Sequence, residues 1–277
     1  MVNLVIQGSD IATPDLKALA KLAQASGIER ISATAFRLCD ARPAAEVAPY
    51  CARAMLDHAY VPAGRRLSDY GLAVMDMDST LITIECIDEI ADMQGIKPEV
   101  AAITAAAMRG EIDYAESLRQ RVQLLAGMKV SAFERVYTER LALTAGAESM
   151  LRAMRAAGIC TLLVSGGFSF FTTRLKARLG LDAACSNEPE VIDGCLTGRL
   201  LGDIVDGAGK ANALTRMRDE LGIARTQVIG IGDGANDLPF LAEAGVSIAF
   251  HAKPSVRAAA THCLDHVGLE GVIALFE

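Results

Sequence analysis

The chain has 277 residues, a formal net charge of −7 and a hydrophobic content of 52%, and it contains no Trp. This length suits one large core or, more comfortably, two domains. The acidic balance argues against a nucleic-acid-binding protein, and no apolar run is long enough to predict a membrane-spanning helix. The seven cysteines lack Cys-x-x-Cys spacing and the first residues lack a secretory pattern, so we expect reduced thiols in a cytoplasmic protein.

Residues 1–71 are predicted to form a small, separate α+β domain. Its strands and helices are expected to alternate, at residues 3–7, 13–25, 31–38, 43–58 and 59–62. Gly27 is the predicted C-terminal cap of the first helix, and His58 is expected at the exposed end of the second. The domain contains no cluster of reactive groups, which favours a regulatory, dimerisation or purely structural role.

From Leu72 onward, strands and helices alternate in the pattern of a parallel sheet covered by helices. One interval departs from that pattern, because residues 86–144 contain no convincing strand. Its predicted helices lie at residues 87–94, 97–109, 114–125 and 131–141. Such an interval is much longer than a crossover needs. We therefore predict an α/β domain over residues 72–277, with a Rossmann-like parallel sheet and an inserted helical cap at about 86–144.

The sheet is expected to resume after the cap. The predicted elements are strands at 159–164, 183–185, 227–231 and 247–250, a hairpin turning at Asp193-Gly194, and helices at 169–179, 210–221, 238–244 and 255–260.

Four polar clusters follow strands or begin a helix in this domain. They are Asp76 with Asp78, the Ser165-Gly166-Gly167 run, Lys210, and Asp233 within Gly232-Asp-Gly-Ala-Asn-Asp237. Separately, each has an ordinary explanation: a solvated Asp-rich turn, a tight turn, an exposed lysine or a hairpin turn. The carboxyl ends of parallel strands, however, meet in one crevice where ligands bind. Together the four clusters therefore predict a single site.

Phosphoryl transfer through an aspartyl phosphate fits these residue types. A carboxylate can act as the nucleophile, and Asp76 and Asp233 are suitable oxygen ligands for Mg²⁺. The Ser165 hydroxyl and the N–H groups of Gly166 and its neighbour can hold phosphate oxygens, while Lys210 adds a positive charge. Catalysis of this kind depends mainly on positioning and electrostatic stabilisation.

These residues together resemble the haloacid dehalogenase superfamily of phosphotransferases over residues 73 to about 265. The resemblance implies that Asp76 is the nucleophile, and that Asp78 protonates the leaving oxygen and then activates water. It also implies that Mg²⁺ is held by Asp76, the main-chain carbonyl of Asp78 and Asp233, with Asp237 supporting them. The acid at Asp78 disfavours haloalkanoic dehalogenase activity.

The segments of the cap side resemble the phosphoserine phosphatases within that superfamily. They are residues 76–91, 107–110 and 117–122, and residues 232–237 and 251–254 of the core agree with this resemblance. By this resemblance Glu85 meets the ammonium group of O-phospho-L-serine, Arg121 meets its carboxylate, and Asn236 also contacts the substrate. Each has an alternative: Glu85 as an acid at a helix N-terminus, Arg121 on a solvated helix face, and Asn236 as a helix cap.

The resemblance implies a Mg²⁺-dependent hydrolase that releases L-serine and phosphate in the last step of serine synthesis. Two alternatives stay open: a phosphotransferase to an alcohol such as homoserine, and a regulatory amino-acid-binding protein with an inactive core. The first domain resembles, by order and position, the ACT-like domain that precedes some phosphoserine phosphatases. We expect a small-molecule substrate and no nucleic-acid or membrane partner; a homodimer is also compatible with the sequence.

Overall fold

The computed structural model describes residues 1–277, except the side chain of Met108, so the predicted cap segment 107–110 lies partly outside the described residues. The strands are β1 Val2–Gln7, β2 Gly27–Arg30, β3 Ala35–Cys39, β4 Asp57–Pro62, β5 Leu72–Asp76, β6 Cys160–Phe168, β7 Ala183–Ile192, β8 Cys195–Leu201, β9 Val228–Gly232, β10 Val246–Phe250 and β11 His262–Leu264. The helices are α1 Thr13–Leu22, α2 Val47–Ala54, α3 Cys86–Met93, α4 Lys97–Met108, α5 Tyr114–Leu124, α6 Ser131–Glu139, α7 Ala147–Ala156, α8 Ser169–Leu179, α9 Gly207–Glu220, α10 Leu238–Ala242 and α11 Pro254–Ala259.

The first four strands form an antiparallel sheet in the order β2-β3-β1-β4. With α1 and α2 this gives a βαββαβ chain order, the arrangement of ferredoxin-like folds. Leu4, Ile6 and Leu38 of the sheet pack with Leu16 and Leu19 of α1 in one apolar cluster. One face of the sheet is thus covered by its own helices.

The predicted strand at residues 31–38 is correct only from Ala35, because the chain reverses direction before that residue and forms the β2–β3 hairpin. The Ser32 hydroxyl accepts a hydrogen bond from the backbone N–H of Thr34 at 3.1 Å, and the Arg30 guanidinium donates to the Ser32 carbonyl at 3.0 Å. Short Ser and Thr side chains that bind nearby backbone favour turns over strands. The alternating apolar pattern at residues 31–38 therefore covers a turn and most of β3, and not one continuous strand.

Two further predictions for this region are also wrong. Gly27 begins β2, and α1 already ends at Leu22. The second helix is shorter than predicted, and Met55 closes it in a left-handed conformation with a φ of 54°. His58 consequently lies in β4 and is half-buried.

The other face of the first sheet rests on the C-terminal part of the chain. Both carboxylate oxygens of Asp57 accept hydrogen bonds from backbone, one from the N–H of Asp265 and one from that of His266, each at 2.8 Å. The Gln7 side chain donates to the Gly271 carbonyl at 3.1 Å. Val5, Ala35, Ala59 and Val61 add apolar contacts to the main core. The sheet is therefore packed on both faces.

A buried histidine lies at this junction. The Nε2 atom of His262 is 3.0 Å from a guanidinium nitrogen of Arg65, and because a guanidinium only donates, Nε2 must accept and the ring must be neutral. Burial, assisted by the charge of Arg65, lowers the pKa of His262 to about 4. The folded protein therefore binds this proton more weakly than the unfolded chain does.

We expect acid to destabilise the protein through His262. The contribution of neutral His262 to the free energy of unfolding is fully present above the unfolded pKa of 6.5. It is lost as the pH falls from 6.5 towards 4. The loss should approach about 3 kcal/mol of the free energy of unfolding. His262→Gln, whose amide oxygen can still accept from Arg65, should flatten that part of the profile. Urea unfolding of both proteins across this range measures the difference, and superimposable profiles would contradict it.

The larger sheet has the order β11-β10-β9-β5-β6-β7-β8. All neighbouring strands run parallel except β7 and β8, which are antiparallel and form the hairpin predicted at Asp193-Gly194. The predicted α/β class with a mostly parallel sheet is confirmed. From the central β5, the chain adds β6 and β7 on one side and later β9, β10 and β11 on the other. The strand order thus reverses beside β5, where such sheets bind ligands.

Helices α3–α6 are inserted between β5 and β6. The chain leaves and returns side by side, since Ile82 pairs with Leu143 in a short antiparallel bridge. A second attachment joins the insertion to the start of β8, where the N–H of Gly127 donates to the Leu196 carbonyl and the N–H of Leu196 donates to that of Met128, both at 2.8 Å. The inserted helices are therefore fixed to the sheet at two separate places.

Some elements were not predicted. Helix α7 follows the insertion, β11 extends the sheet, and Leu269–Leu275 forms a run of tight helical turns near the C-terminus. Within the described residues, no helix combines the length and the apolar character needed to cross a membrane.

Candidate active site

Asp76 is the last residue of β5, and the residue is 4% exposed. The chain then makes one irregular turn over Met77–Leu81, in which Asp78 is extended and Ser79 has a φ of 56°. The turn ends the strand and places two carboxylates at its carboxyl end. This is where the strand order of the sheet reverses.

Lys210 lies in the first turn of α9, which is capped by the Asp206 carboxylate through the N–H of Gly209 at 2.8 Å. Its ammonium group is buried and contacts Asp76 Oδ1 and, at 2.7 Å, Asp237 Oδ1. Burial alone would lower the pKa of Lys210, but Asp76 and Asp237 outweigh that effect and the net pKa is raised. The lysine is therefore a fixed positive charge beside Asp76.

Asp233 follows β9, and the loop after it is held by Asp237. One oxygen of Asp237 accepts from the N–H of Asp233 at 3.1 Å and from that of Gly234 at 3.0 Å. A Cβ atom on Gly232 would lie 2.6 Å from the same oxygen, so only glycine fits there. With Lys210 on its other oxygen, Asp237 has donors on both oxygens. This suits a supporting role behind Asp76 and Asp233.

The acidic cluster fits a divalent cation. Carboxylate oxygens of Asp76, Asp233 and Asp237 all lie within 4.8 Å of one another. Burial, followed by repulsion from Asp237, raises the pKa of Asp76 and raises that of Asp233 to about 6. The Lys210 ammonium group contacts only two of these carboxylates, and a cation with a preference for oxygen ligands would add positive charge to the cluster.

Asp78 has the environment of a general acid. Its Oδ1 accepts from the N–H of Cys86 at 3.0 Å, and its Oδ2 lies 3.4 Å from the Ser165 hydroxyl. Burial, assisted by the nearby negative charge of Glu85, raises the pKa of Asp78 to about 7. A carboxyl group with this pKa can donate and accept a proton near neutral pH.

Ser165, Gly166 and Gly167 extend β6 beyond the predicted strand end and precede α8, which begins at Ser169. The alternative explanation of this run as a tight turn is therefore wrong, and the two glycines are needed for close approach. A Cβ atom on Gly166 would lie 1.7 Å from the hydroxyl of Tyr114, and one on Gly167 would lie 3.1 Å from Asp78 Oδ2. The Ser165 hydroxyl accepts from the N–H of Gly167 at 2.9 Å.

The inserted helices supply the opposite wall. Glu85 immediately precedes α3, and Arg121 lies on α5. Among the described residues, Arg121 has no ion pair, whereas its neighbour Arg119 is 3.6 Å from Glu116. An arginine without a partner acid can receive an anionic group from a ligand.

These walls enclose a cavity of about 770 Å³. It is lined by most of the predicted site residues, namely Asp76, Asp78, Glu85, Arg121, Gly166, Lys210, Asp233 and Asn236. Ser165 and Asp237 are fully buried immediately behind this lining. The structure thus brings the predicted nucleophile, the predicted general acid, the lysine, the candidate metal ligands and the candidate substrate-binding residues to one place.

The family model of haloacid dehalogenase-like hydrolases matches residues 73–242. The chain belongs to this family. A second model, of a domain of unknown function (DUF4072), matches residues 4–47.

Several similar proteins are named phosphoserine phosphatases. A phosphoserine phosphatase of Polaromonas sp. (strain JS666) is 54% identical over 215 residues, which are 76% of this chain and 91% of that protein. A probable phosphoserine phosphatase from Vibrio cholerae has a TM-score of 0.87 and 33% identity, over 99% of this chain and 85% of that one. A phospho-aspartyl intermediate analogue of phosphoserine phosphatase has a TM-score of 0.70 and 36% identity, over 75% of this chain and 99% of that one.

Sequence reasoning missed several residues of this haloacid dehalogenase-like site. Tyr114 and Lys253 line the cavity, and the Thr80 hydroxyl donates to Asp233 at 3.3 Å. Lys253 had a signal, because it lies in the His251-to-Pro254 segment that carries part of the family resemblance. Tyr114 had none, since it appears only as the first residue of a predicted helix.

Asn236 lines the cavity and does not cap the helix after it. The residue preceding α10 is Asp237, and its side chain makes no capping hydrogen bond either. The helix-cap alternative for Asn236 is therefore excluded, and its side chain stays available to a ligand.

Proposed function

We propose that this chain is a phosphoserine phosphatase, which hydrolyses O-phospho-L-serine to L-serine and phosphate. The observation that carries the proposal is that Glu85 and Arg121 line the same cavity as Asp76 and Asp78. The site therefore offers an acid for an ammonium group, a guanidinium for a carboxylate and a catalytic pair for a phosphate ester. The 54% identity to the Polaromonas phosphoserine phosphatase supports the same substrate.

The chain's own residues can carry both chemical steps. An Asp76 oxygen attacks phosphorus, the bond from phosphorus to the serine oxygen breaks, and Asp78 donates its proton to that oxygen. Serine leaves, and the phosphoryl group stays on the Asp76 oxygen as an acyl phosphate. Asp78, now ionised, takes a proton from water, which attacks phosphorus and frees Asp76 and phosphate. Ser165, the N–H of Gly166 and Lys210 stabilise the phosphate oxygens.

We propose Mg²⁺ as the cation, held by Asp76, Asp233 and the main-chain carbonyl of Asp78. When bound, it offsets the repulsion between the anionic nucleophile and the phosphate. Asp237 keeps the Asp233 loop in place and holds Lys210 next to Asp76. The carboxylate oxygens of Asp76 and Asp233 and the main-chain carbonyl oxygen of Asp78 are ligands that Mg²⁺ prefers.

We further propose a division into residues 1–71 and 72–277, with a helical cap at about 86–144. The βαββαβ order of the first part supports an ACT-like regulatory or dimerisation domain. Free thiols at all seven cysteines support a cytoplasmic location.

Phosphate release from a panel of phosphorylated amino acids and sugars, with Mg²⁺ and with EDTA, tests the proposed function. O-phospho-L-serine should have the highest kcat/KM, and EDTA should remove the activity until Mg²⁺ is restored. Adding homoserine and assaying both free phosphate and phosphohomoserine separates hydrolysis from phosphoryl transfer. Preference for a substrate without an amino-acid backbone would refute the substrate assignment.

Arg121→Ala should lower kcat/KM for phosphoserine about 10- to 100-fold, because a charge-assisted hydrogen bond to the substrate carboxylate is lost. O-phosphoethanolamine, which has the ammonium group but no carboxylate, should be hydrolysed at nearly the wild-type rate. Steady-state kinetics with both substrates measure the difference.

Arg119→Ala is the matched control for Arg121→Ala, because Arg119 lies on the exposed side of the same helix and pairs with Glu116. It should leave both substrates unaffected. An equal loss on both substrates in Arg121→Ala would exclude the carboxylate-binding role.

A further inference from the structure

Ser79 has an uncommon backbone conformation close to the site. With a φ of 56° and a ψ of 3° it is left-handed, a conformation that glycine adopts freely and that other L-residues adopt at a cost. The N–H of Ser79 donates to the Ile84 carbonyl at 3.2 Å and closes the loop between them. A residue other than glycine in such a conformation is a candidate for a functional role.

The Ser79 hydroxyl donates to Glu85 Oε1 at 2.7 Å. Of the described side chains, no other donates a hydrogen bond to this carboxylate or forms an ion pair with it. Glu85 is an exposed residue directly before α3, and its side chain makes no capping bond to that helix. Without Ser79, several rotatable bonds would let its carboxylate turn into solvent.

We propose that Ser79 is a positioning residue for substrate choice: its hydroxyl holds the Glu85 carboxylate at the cavity wall, ready for the ammonium group of the substrate. The inference rests on the proposed function. The bond from Ser79 uses one lone pair of Oε1, and the remaining lone pairs of Glu85 are free to accept from an ammonium group. Because the left-handed turn fixes the hydroxyl, part of the ordering of Glu85 is complete before the substrate arrives.

The test compares two substrates that differ only in the ammonium group, O-phospho-L-serine and 3-phosphooxypropanoate. Ser79→Gly removes the hydroxyl and suits the left-handed backbone, so the turn should survive. It should lower kcat/KM for phosphoserine about tenfold, mainly through KM, and change that for 3-phosphooxypropanoate less than about twofold. Ser79→Asn, which tolerates the same backbone and has an amide donor, should restore most of the preference.

Thr83→Ala is the control, because it removes an exposed hydroxyl that donates to the Ala142 carbonyl rather than to Glu85. It should leave both substrates unaffected. In a Glu85→Gln background, Ser79→Gly should have little further effect on phosphoserine, since the two residues act together.

Two results would overturn the inference. One is an equal loss on both substrates, which would mean that Ser79 supports the catalytic turn itself. The other is an unchanged preference for phosphoserine in Ser79→Gly. Both are distinct from failure of the proposed function, in which the wild-type protein itself would show no preference for phosphoserine.

Discussion

Replacing Asp76 by Asn should abolish turnover of phosphoserine, with a loss of at least about 10⁴-fold in kcat. An amide nitrogen or oxygen is a poor nucleophile towards phosphorus, and the amide is also a weaker ligand for a divalent cation than a carboxylate. The side chain is nearly isosteric, and Lys210 keeps its contact with Asp237, so the fold should persist. Circular dichroism and the unfolding midpoint check this directly.

The exposed Asp69 provides the control for Asp76→Asn. It lies seven residues earlier, pairs with Arg66 at 2.8 Å and is outside the cavity. Asp69→Asn should keep full activity. Labelled phosphate should become attached to the wild-type protein during turnover and not to Asp76→Asn. Substantial phosphoserine hydrolysis by a folded Asp76→Asn protein would exclude the aspartyl-phosphate route.

Asp78→Asn should separate the two chemical steps. Asn can still accept from the N–H of Cys86, so the geometry of the turn should hold, but it can neither donate nor accept the catalytic proton. For phosphoserine, whose alkoxide leaving group needs protonation, kcat should fall about 10²- to 10⁴-fold. The raised pKa of Asp78, about 7, places the wild-type group in the range where it can do both.

With p-nitrophenyl phosphate the same variant should behave differently. The nitrophenolate leaves without a proton, so the first step should proceed, while hydrolysis of the phosphorylated Asp76 lacks its base. A rapid burst of about one nitrophenolate per active site should therefore precede slow turnover. Stopped-flow absorbance measures it. If both substrates slow equally and no burst appears, Asp78 has a role other than proton transfer.

Much of the site could be predicted from sequence because several of its residues lie at the carboxyl ends of parallel strands, which meet at one edge of the sheet. The sequence predicted that Asp76 and Asp233 meet because each lies at the carboxyl end of a strand, and the structure shows that these strands, β5 and β9, are neighbours. Lys210 was predicted to bind phosphate, and the structure shows its ammonium group between Asp76 and Asp237. Such pairing depends on side-chain burial and on distances between elements far apart in sequence. Periodicity does not contain that information.

The errors in the fold have local causes. The β2–β3 hairpin was missed because its turn, at Ser32 and Thr34, lacks Gly and Pro and depends on side-chain hydrogen bonds to the backbone. Helix α7 did have a signal: its buried residues Met150, Leu151 and Met154 have helical spacing. The short β11 had none, because three residues are too few to show any period.

The pairing of Ile82 with Leu143 has a consequence for how this molecule can change over evolutionary time. Because the two ends of the insertion meet, the chain between them can change without separating β5 from β6, provided that the bonds of Gly127 and Met128 to Leu196 are kept. Mutations, insertions or deletions there can remodel Arg121 and its surroundings while the reacting residues below keep their positions. Substrate preference can therefore change through the insertion while the catalytic residues stay the same.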